Sequence, residues 1–163
     1  MKSLIRYTII ITLLAFVGAC KKDSTTPSNP TTPTATACNG MTLCFKMDGT
    51  DVSKNATWKV ISGTAPRNRI YWEDNSTGSN IEIDVYGSTT GTYAIKANPA
   101  SGEAGFQYYL KDASGTKNIQ GQSGTLEVTS VANDKMTGTF TVTASDGSKT
   151  YQITDGNFVN VPK

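Results

Sequence analysis

Apolar and polar residues alternate along this chain in short runs, and Gly, Asn, Asp and Ser interrupt those runs every 8–12 residues or so. No segment sustains a 3.6-residue period. A chain patterned this way can bury one face of a strand but not one stripe of a helix, which confines it to an all-β class. The alternation predicts strands at 41–47, 56–61, 68–74, 79–86, 91–97, 104–112, 124–131, 135–145 and 149–160. That is a single antiparallel β-sandwich or flattened β-barrel of about 8–9 strands, with both closures open. Fifteen glycines fit so turn-rich a design.

Successive side chains of a strand point to opposite faces, so parity assigns the core. The inward sets are Leu43, Phe45 and Met47; Trp58 and Val60; Ile70 and Trp72; Ile81, Ile83 and Val85; Tyr93 and Ile95. Further along they are Phe106, Tyr108 and Leu110; Leu126 and Val128; Phe140 and Val142; Tyr151 and Ile153. Thr137, Thr139, Thr141 and Thr143 take the opposite parity and face water.

One hairpin can be placed in register. Trp72 must share a face with Ile81 or Ile83, so facing residue numbers sum to an odd value. Pairing Glu73 with Asn80, Tyr71 with Glu82 and Arg69 with Asp84 leaves Asn75-Ser76-Thr77-Gly78 as the loop. The next register would set Glu73 against Glu82, and facing like charges are unfavourable. It would also move Gly78 from late in the loop, where positive φ is often needed.

The N-terminus is built differently. Lys2 and Arg6 precede an uncharged apolar run, Tyr7 to Val17, and small residues lead into Cys20. Eleven residues are too few for a permanent span, which takes about 20. They suit the core of an export signal over residues 1–19. Val17-Gly18-Ala19-Cys20 resembles the lipobox of bacterial lipoproteins, which implies acylation of Cys20. Stable anchoring takes about two acyl chains, and a diacylated cysteine carries two. Lys21-Lys22-Asp23-Ser24 resembles the surface-export signal of Bacteroidota-type lipoproteins, implying an outer-membrane, cell-surface location rather than its periplasmic face. Residues 20–37 are then the lipidated cysteine and a Thr/Pro/Ser-rich tether without large apolar side chains, reaching ~50 Å if extended. Asp23-Ser24-Thr25 also resembles a short O-glycosylation acceptor of the same bacteria. Residues 38–163 form the all-β domain, long enough for one core.

Lys and Arg number fifteen against thirteen Asp and Glu, and loss of Lys2 and Arg6 with the signal balances the two. A neutral domain without basic runs has no electrostatic footprint for nucleic acid. Cys38 and Cys44 remain as a C-x5-C pair, which in an exported chain points to a disulfide, provided their Cα atoms lie within roughly 7 Å. Two cysteines and no histidine are too few for a metal centre, and no cofactor is implied.

The C-terminal third carries a recognisable pattern: Ser123-Gly124-Thr125 opening a strand, Gly138-Thr139-Phe140, then Thr154-Asp155-Gly156-Asn157-Phe158 running to Val161-Pro162. With Phe45-Lys46-Met47-Asp48-Gly49 near the start, it resembles a family of small, uncharacterised Bacteroidota-type lipoproteins. The resemblance spans residues 41–163 and implies an exported β domain. It brings no activity with it.

Chemistry is sparse. Without histidine there is no Ser-His-Asp or Cys-His mechanism. Ser114-Gly115-Thr116-Lys117 matches S-x-x-K but falls in a turn, where the motif needs a helix start. Asp48-Gly49-Thr50-Asp51 is too sparse for calcium and reads as a turn. Glu73, Glu82 and Asp84 share the wet face of one hairpin, where nearby Arg69 and lysines screen them. Tyr71, Tyr86 and Tyr109 have the wrong parity for the core and sit among Glu73, Asp84, Gln107 and Lys111. Such aromatics can stack on sugar rings, although tyrosine also suits a half-exposed strand for packing alone. The expectation is a non-catalytic, lipid-anchored binding domain for a glycan or an envelope partner, with Tyr71, Tyr86, Tyr109, Glu82 and Asp84 as candidate ligand contacts. The alternative is a structural or accessory subunit of an outer-membrane assembly, with an enzyme disfavoured.

Overall fold

The computed structural model describes residues 38–87 and 90–163. The signal segment, Cys20, the tether and its two short signals lie outside the described residues. The rest is all-β: a single sheet of ten strands that does not close into a barrel. In chain order these are β1 (Leu43–Met47), β2 (Thr50–Lys54), β3 (Thr57–Ile61), β4 (Arg67–Asp74), β5 (Ser79–Val85), β6 (Gly91–Lys96), β7 (Glu103–Asp112), β8 (Gly115–Ala132), β9 (Lys135–Ser145) and β10 (Thr150–Pro162). Across the sheet they run β2-β1-β10-β9-β8-β6-β7-β5-β4-β3, and β8 also pairs with β7.

The two edge strands, β2 and β3, are consecutive in the chain and separated only by Asn55 and Ala56. Three peptide units reach at most about 11 Å, so the opposite edges of a ten-stranded sheet come close without hydrogen-bonding. The sheet therefore curls on itself with one open seam, as a β-sandwich or flattened barrel does. Rings from distant strands meet inside it. Phe45 of β1 packs edge-on to Phe106 and Tyr108 of β7, with centroids 6.1 and 6.3 Å apart, and lies 5.9 Å from Phe140 of β9. Edge-to-face pairs of this kind add about 0.5–1.5 kcal/mol beyond the area they bury.

Parity holds through nearly all of this core. Leu43, Ile70, Ile81, Ile83, Val85, Ile95, Leu126 and Ile153 are essentially inaccessible, joined by Ile119, Met136, Phe158 and Val161. Met47, Trp72 and Leu110 are half-buried against it. Val60 is the exception: it shares parity with Trp58 yet is 52% exposed. It lies towards the end of edge strand β3, opposite Asn68, and has a strand on one side only.

The β4–β5 hairpin pairs Glu73 with Asn80, Tyr71 with Glu82 and Arg69 with Asp84, and Gly78 takes a φ of 77° in the loop. Ten strands replace the eight or nine expected, because the alternation misses β2. Asp48 and Gly49, both at positive φ, form a two-residue turn that returns the chain from Met47 to Thr50. Residues 115–123 likewise belong to β8, which is one strand of eighteen residues rather than a short one starting at 124. One local pairing also departs from the antiparallel scheme, since Ala94 and Ile95 of β6 run parallel to Glu103 and Ala104 of β7.

Candidate functional site

The register sets Tyr71 opposite Glu82, Glu82 opposite Gln107 and Asn80 opposite Tyr109, so Tyr71, Tyr109, Glu82 and Asp84 share the outer face of β4, β5 and β7. Tyr86 follows β5 with the same parity as Glu82. All three tyrosines are half-buried. Their polar neighbours are engaged with one another. Arg69 lies 2.7 Å from Glu82 and grips Asp84 through both Nε and Nη2, at 2.7 and 2.8 Å, while Arg67 reaches Asp84 at 2.9 Å. The Asp84 hydrogen bonds hold the Arg69 guanidinium above its ordinary pKa. The Tyr71 hydroxyl donates to Glu73 at 2.6 Å, a bond to an acceptor carboxylate that pushes the phenol up to about 12. Gln107 Nε2 donates to the Tyr109 hydroxyl at 2.8 Å and to Asn118 at 2.9 Å.

Cations cover two of the rings. Lys59 Nζ lies 5.0 Å from the Tyr71 centroid and the Arg67 guanidinium 5.6 Å from that of Tyr86. A ring face under a cation is not open to a sugar without displacing an attraction of about 0.5–1 kcal/mol. A hollow at this face, bordered by Glu82, Asp84, Tyr86, Lys96 and Gln120 among others, holds about 140 Å³, well below the roughly 300 Å³ at which small-molecule sites begin. Tyr71, Tyr86, Tyr109, Glu82 and Asp84 are thus each engaged with polar or cationic neighbours on this face.

A larger hollow lies elsewhere. A groove of about 650 Å³ crosses the outer face of β2, β1, β10, β9 and β8. Its walls are Asp51 and Ser53 of β2, Cys44 and Lys46 of β1, Asp155 to Asn157 of β10, Thr139 and Thr141 of β9, and Thr125 and Glu127 of β8, with Cys38 and Asn39 at one end. Four strand spacings make it about 19 Å across. Parity explains most of its chemistry: the strand residues of the wall alternate with core residues such as Leu43 and Leu126, which leaves hydroxyl, amide and carboxylate groups outward, while the rings of Phe45 and Phe140 also border the groove. Threonine methyls and the disulfide supply apolar patches between them.

Bulges bend the strands at this place. The β1–β10 register slips between Cys44 and Lys46, and the β10–β9 register between Ile153 and Gly156. A bulge adds an unpaired residue and re-aims its side chain. Here the extra residue is Asp155, at φ 53°, whose carboxylate meets Lys46 Nζ at 3.0 Å. That bond raises the Lys46 pKa. Asn157, buried, turns its amide Nδ2 back to the Asp155 carbonyl at 2.7 Å. The disulfide joins Cys38 to Cys44, with Cα atoms 5.4 Å apart, and closes the groove's end.

Sequence reasoning found the threonine face but not the groove. It also picked out 123–125, 138–140 and 154–158 as patterned segments, and the structure brings all three side by side on β8, β9 and β10, where each contributes to this wall. The remaining sequence motifs are turns. Ser114 and Lys117 both engage Asp112, the ammonium at 3.4 Å. Among the described residues no group of three or more His, Cys, Asp or Glu side chains is placed to hold a metal ion.

No curated protein and no solved structure matches the chain. One family does, over residues 52–162, from within β2 to the end of β10. Its description is Domain of unknown function (DUF6252), and this chain belongs to that family.

Proposed function

We propose that this is a non-catalytic binding domain, held at the outer membrane by lipid on Cys20, that takes a polyhydroxylated ligand of the oligosaccharide type in the β1–β2–β8–β9–β10 groove. The observation that supports it is the groove itself: about 650 Å³, in the range of real ligand sites, with convergent hydroxyl, carboxylate and amide groups. Sugar hydroxyls both donate and accept. They are matched by the hydroxyls of Ser53, Thr125, Thr139 and Thr141 and by carboxylates that accept only. The threonine methyls offer the apolar contact that a sugar's C–H face needs.

Every residue of the core lies between Leu43 and Val161, so a chain beginning at residue 36 carries the whole of it. That chain, screened on an array of oligosaccharides, should bind a subset. Thr141 is exposed, so Thr141→Trp should fill the groove and abolish binding while leaving the melting temperature in place. Tyr71→Ala should keep binding. Loss with Tyr71→Ala instead would move the site to the tyrosine face, and silence from the folded domain would sink the glycan reading in favour of a protein partner.

A further inference from the structure

The charges in the groove are unequal. Asp51, Glu127 and Asp155 face a single cation, Lys46. Lys46 is committed to Asp155 at 3.0 Å and sits directly opposite Asp51 in the β1–β2 register. Glu127 lies on the far wall, between Thr92 and Thr139, and makes no ion pair with any described residue. The wall therefore carries one carboxylate with no counter-charge and a second that shares its cation. The other lining groups are neutral: hydroxyls, amides, the disulfide and the rings of Phe45 and Phe140.

Resting on the groove as the binding site, we infer that its ligands are neutral or amine-bearing oligosaccharides and that acidic ones are excluded. An ammonium on a sugar meets Glu127 and Asp51 as acceptors, exchanging water for charge-assisted bonds. A uronate or sulfate in the same place faces like charge, and no free cation of the lining can compensate, because Lys46 is already held. Discrimination of this kind rests on repulsion as much as attraction.

The chain from residue 36 is titrated with three probes of equal length: a neutral N-acetylated amino-sugar oligomer, its N-deacetylated form, and a uronic-acid oligomer. The deacetylated form should bind tightest, with affinity falling as salt rises, and the uronic-acid form should be weaker by tenfold or more, since facing like charges cost more than about 1.4 kcal/mol. In the double variant Asp51→Asn, Glu127→Gln the amine advantage should vanish and the acidic probe should gain at least tenfold. Binding of all three probes with equal affinity, or a preference for the acidic one, overturns the inference while leaving the groove as the site. Silence towards every sugar, or binding of an oligolysine peptide alone, overturns both.

Discussion

The indole N–H of Trp58 donates to the backbone carbonyl of Asp134 at 3.1 Å, joining residues 76 apart in sequence. Trp58 lies on edge strand β3 and Asp134 in the two-residue turn between β8 and β9, where Asn133 and Asp134 both hold positive φ. The bond spans a part of the molecule that the sheet's own ladder leaves unbonded.

Trp58→Phe should remove that bond and keep most of the packing, at a cost of about 1 kcal/mol. Trp58→Ala should cost about 3–5 kcal/mol, because the side chain is 6% exposed and leaves a cavity. Urea unfolding of both variants measures the difference. Equal losses would mean that the hydrogen bond contributes nothing beyond burial.

Gly138 and Gly156 occupy positions with no room for a side chain. A Cβ at 138 would overlap the Glu127 carbonyl oxygen and the Phe158 ring, and one at 156 would overlap the Phe140 carbonyl oxygen. Backbone cannot yield as a flexible side chain can, so either Gly→Ala change should cost at least about 3 kcal/mol, above the ordinary range for overpacking. Near-native stability for Gly138→Ala, read by thermal melting, would contradict this packing.

The Cys38–Cys44 disulfide closes a loop of seven residues. On chain-entropy grounds, changing both cysteines to serine should lower stability by about 2 kcal/mol. The sheet itself should survive, since Cys38 precedes the first strand. Loss of the β circular-dichroism signal in the double variant would show a larger role.

Acid should destabilise the domain in a defined window. Asp74 is held at about 2 by the hydroxyls of Ser76 and Thr77, and Asp146 is depressed chiefly by the Tyr151 hydroxyl. Asp48 is lowered mainly by its bond to the Lys149 ammonium. In each case the folded pKa lies below the unfolded one, so the unfolded chain binds more protons in between and stability rises with pH there. The contribution is complete above the ordinary carboxylate pKa near 4 and is lost as pH falls towards about 2. The melting temperature should drop through that interval, less steeply in Asp146→Asn. A flat profile would remove these turns from the stability account.

Local pattern revealed the faces, most of the core and the whole β4–β5 register, because charge pairing at Glu73 and Glu82 left one choice. It could not reveal β2, whose sequence Thr-Asp-Val-Ser-Lys holds a single apolar residue. The Asp48-Gly49 dipeptide before it was the available signal, being a strong two-residue hairpin former. The first half of β8 hid for a related reason. Ile119 is its one large core residue, and the next inward position is Gly121, whose missing side chain is replaced by Phe106, Ile95 and Val142. The groove was illegible because it exists only once five strands lie side by side and two bulges have re-aimed Asp155 and its neighbours. No run of residues contains it.

β8 bonds to β7 through residues 115–120 and to β6 through residues 123–128, while β9 pairs with it from Gln120 to Ala132. It acts as a splice, overlapping two parts of the sheet that would otherwise meet end to end. Both parts are thereby tied to one continuous strand. A ligand pressing on Thr125 should therefore slow amide exchange at Ile119 as well, so that occupancy of the groove is registered as rigidity six residues along the same strand.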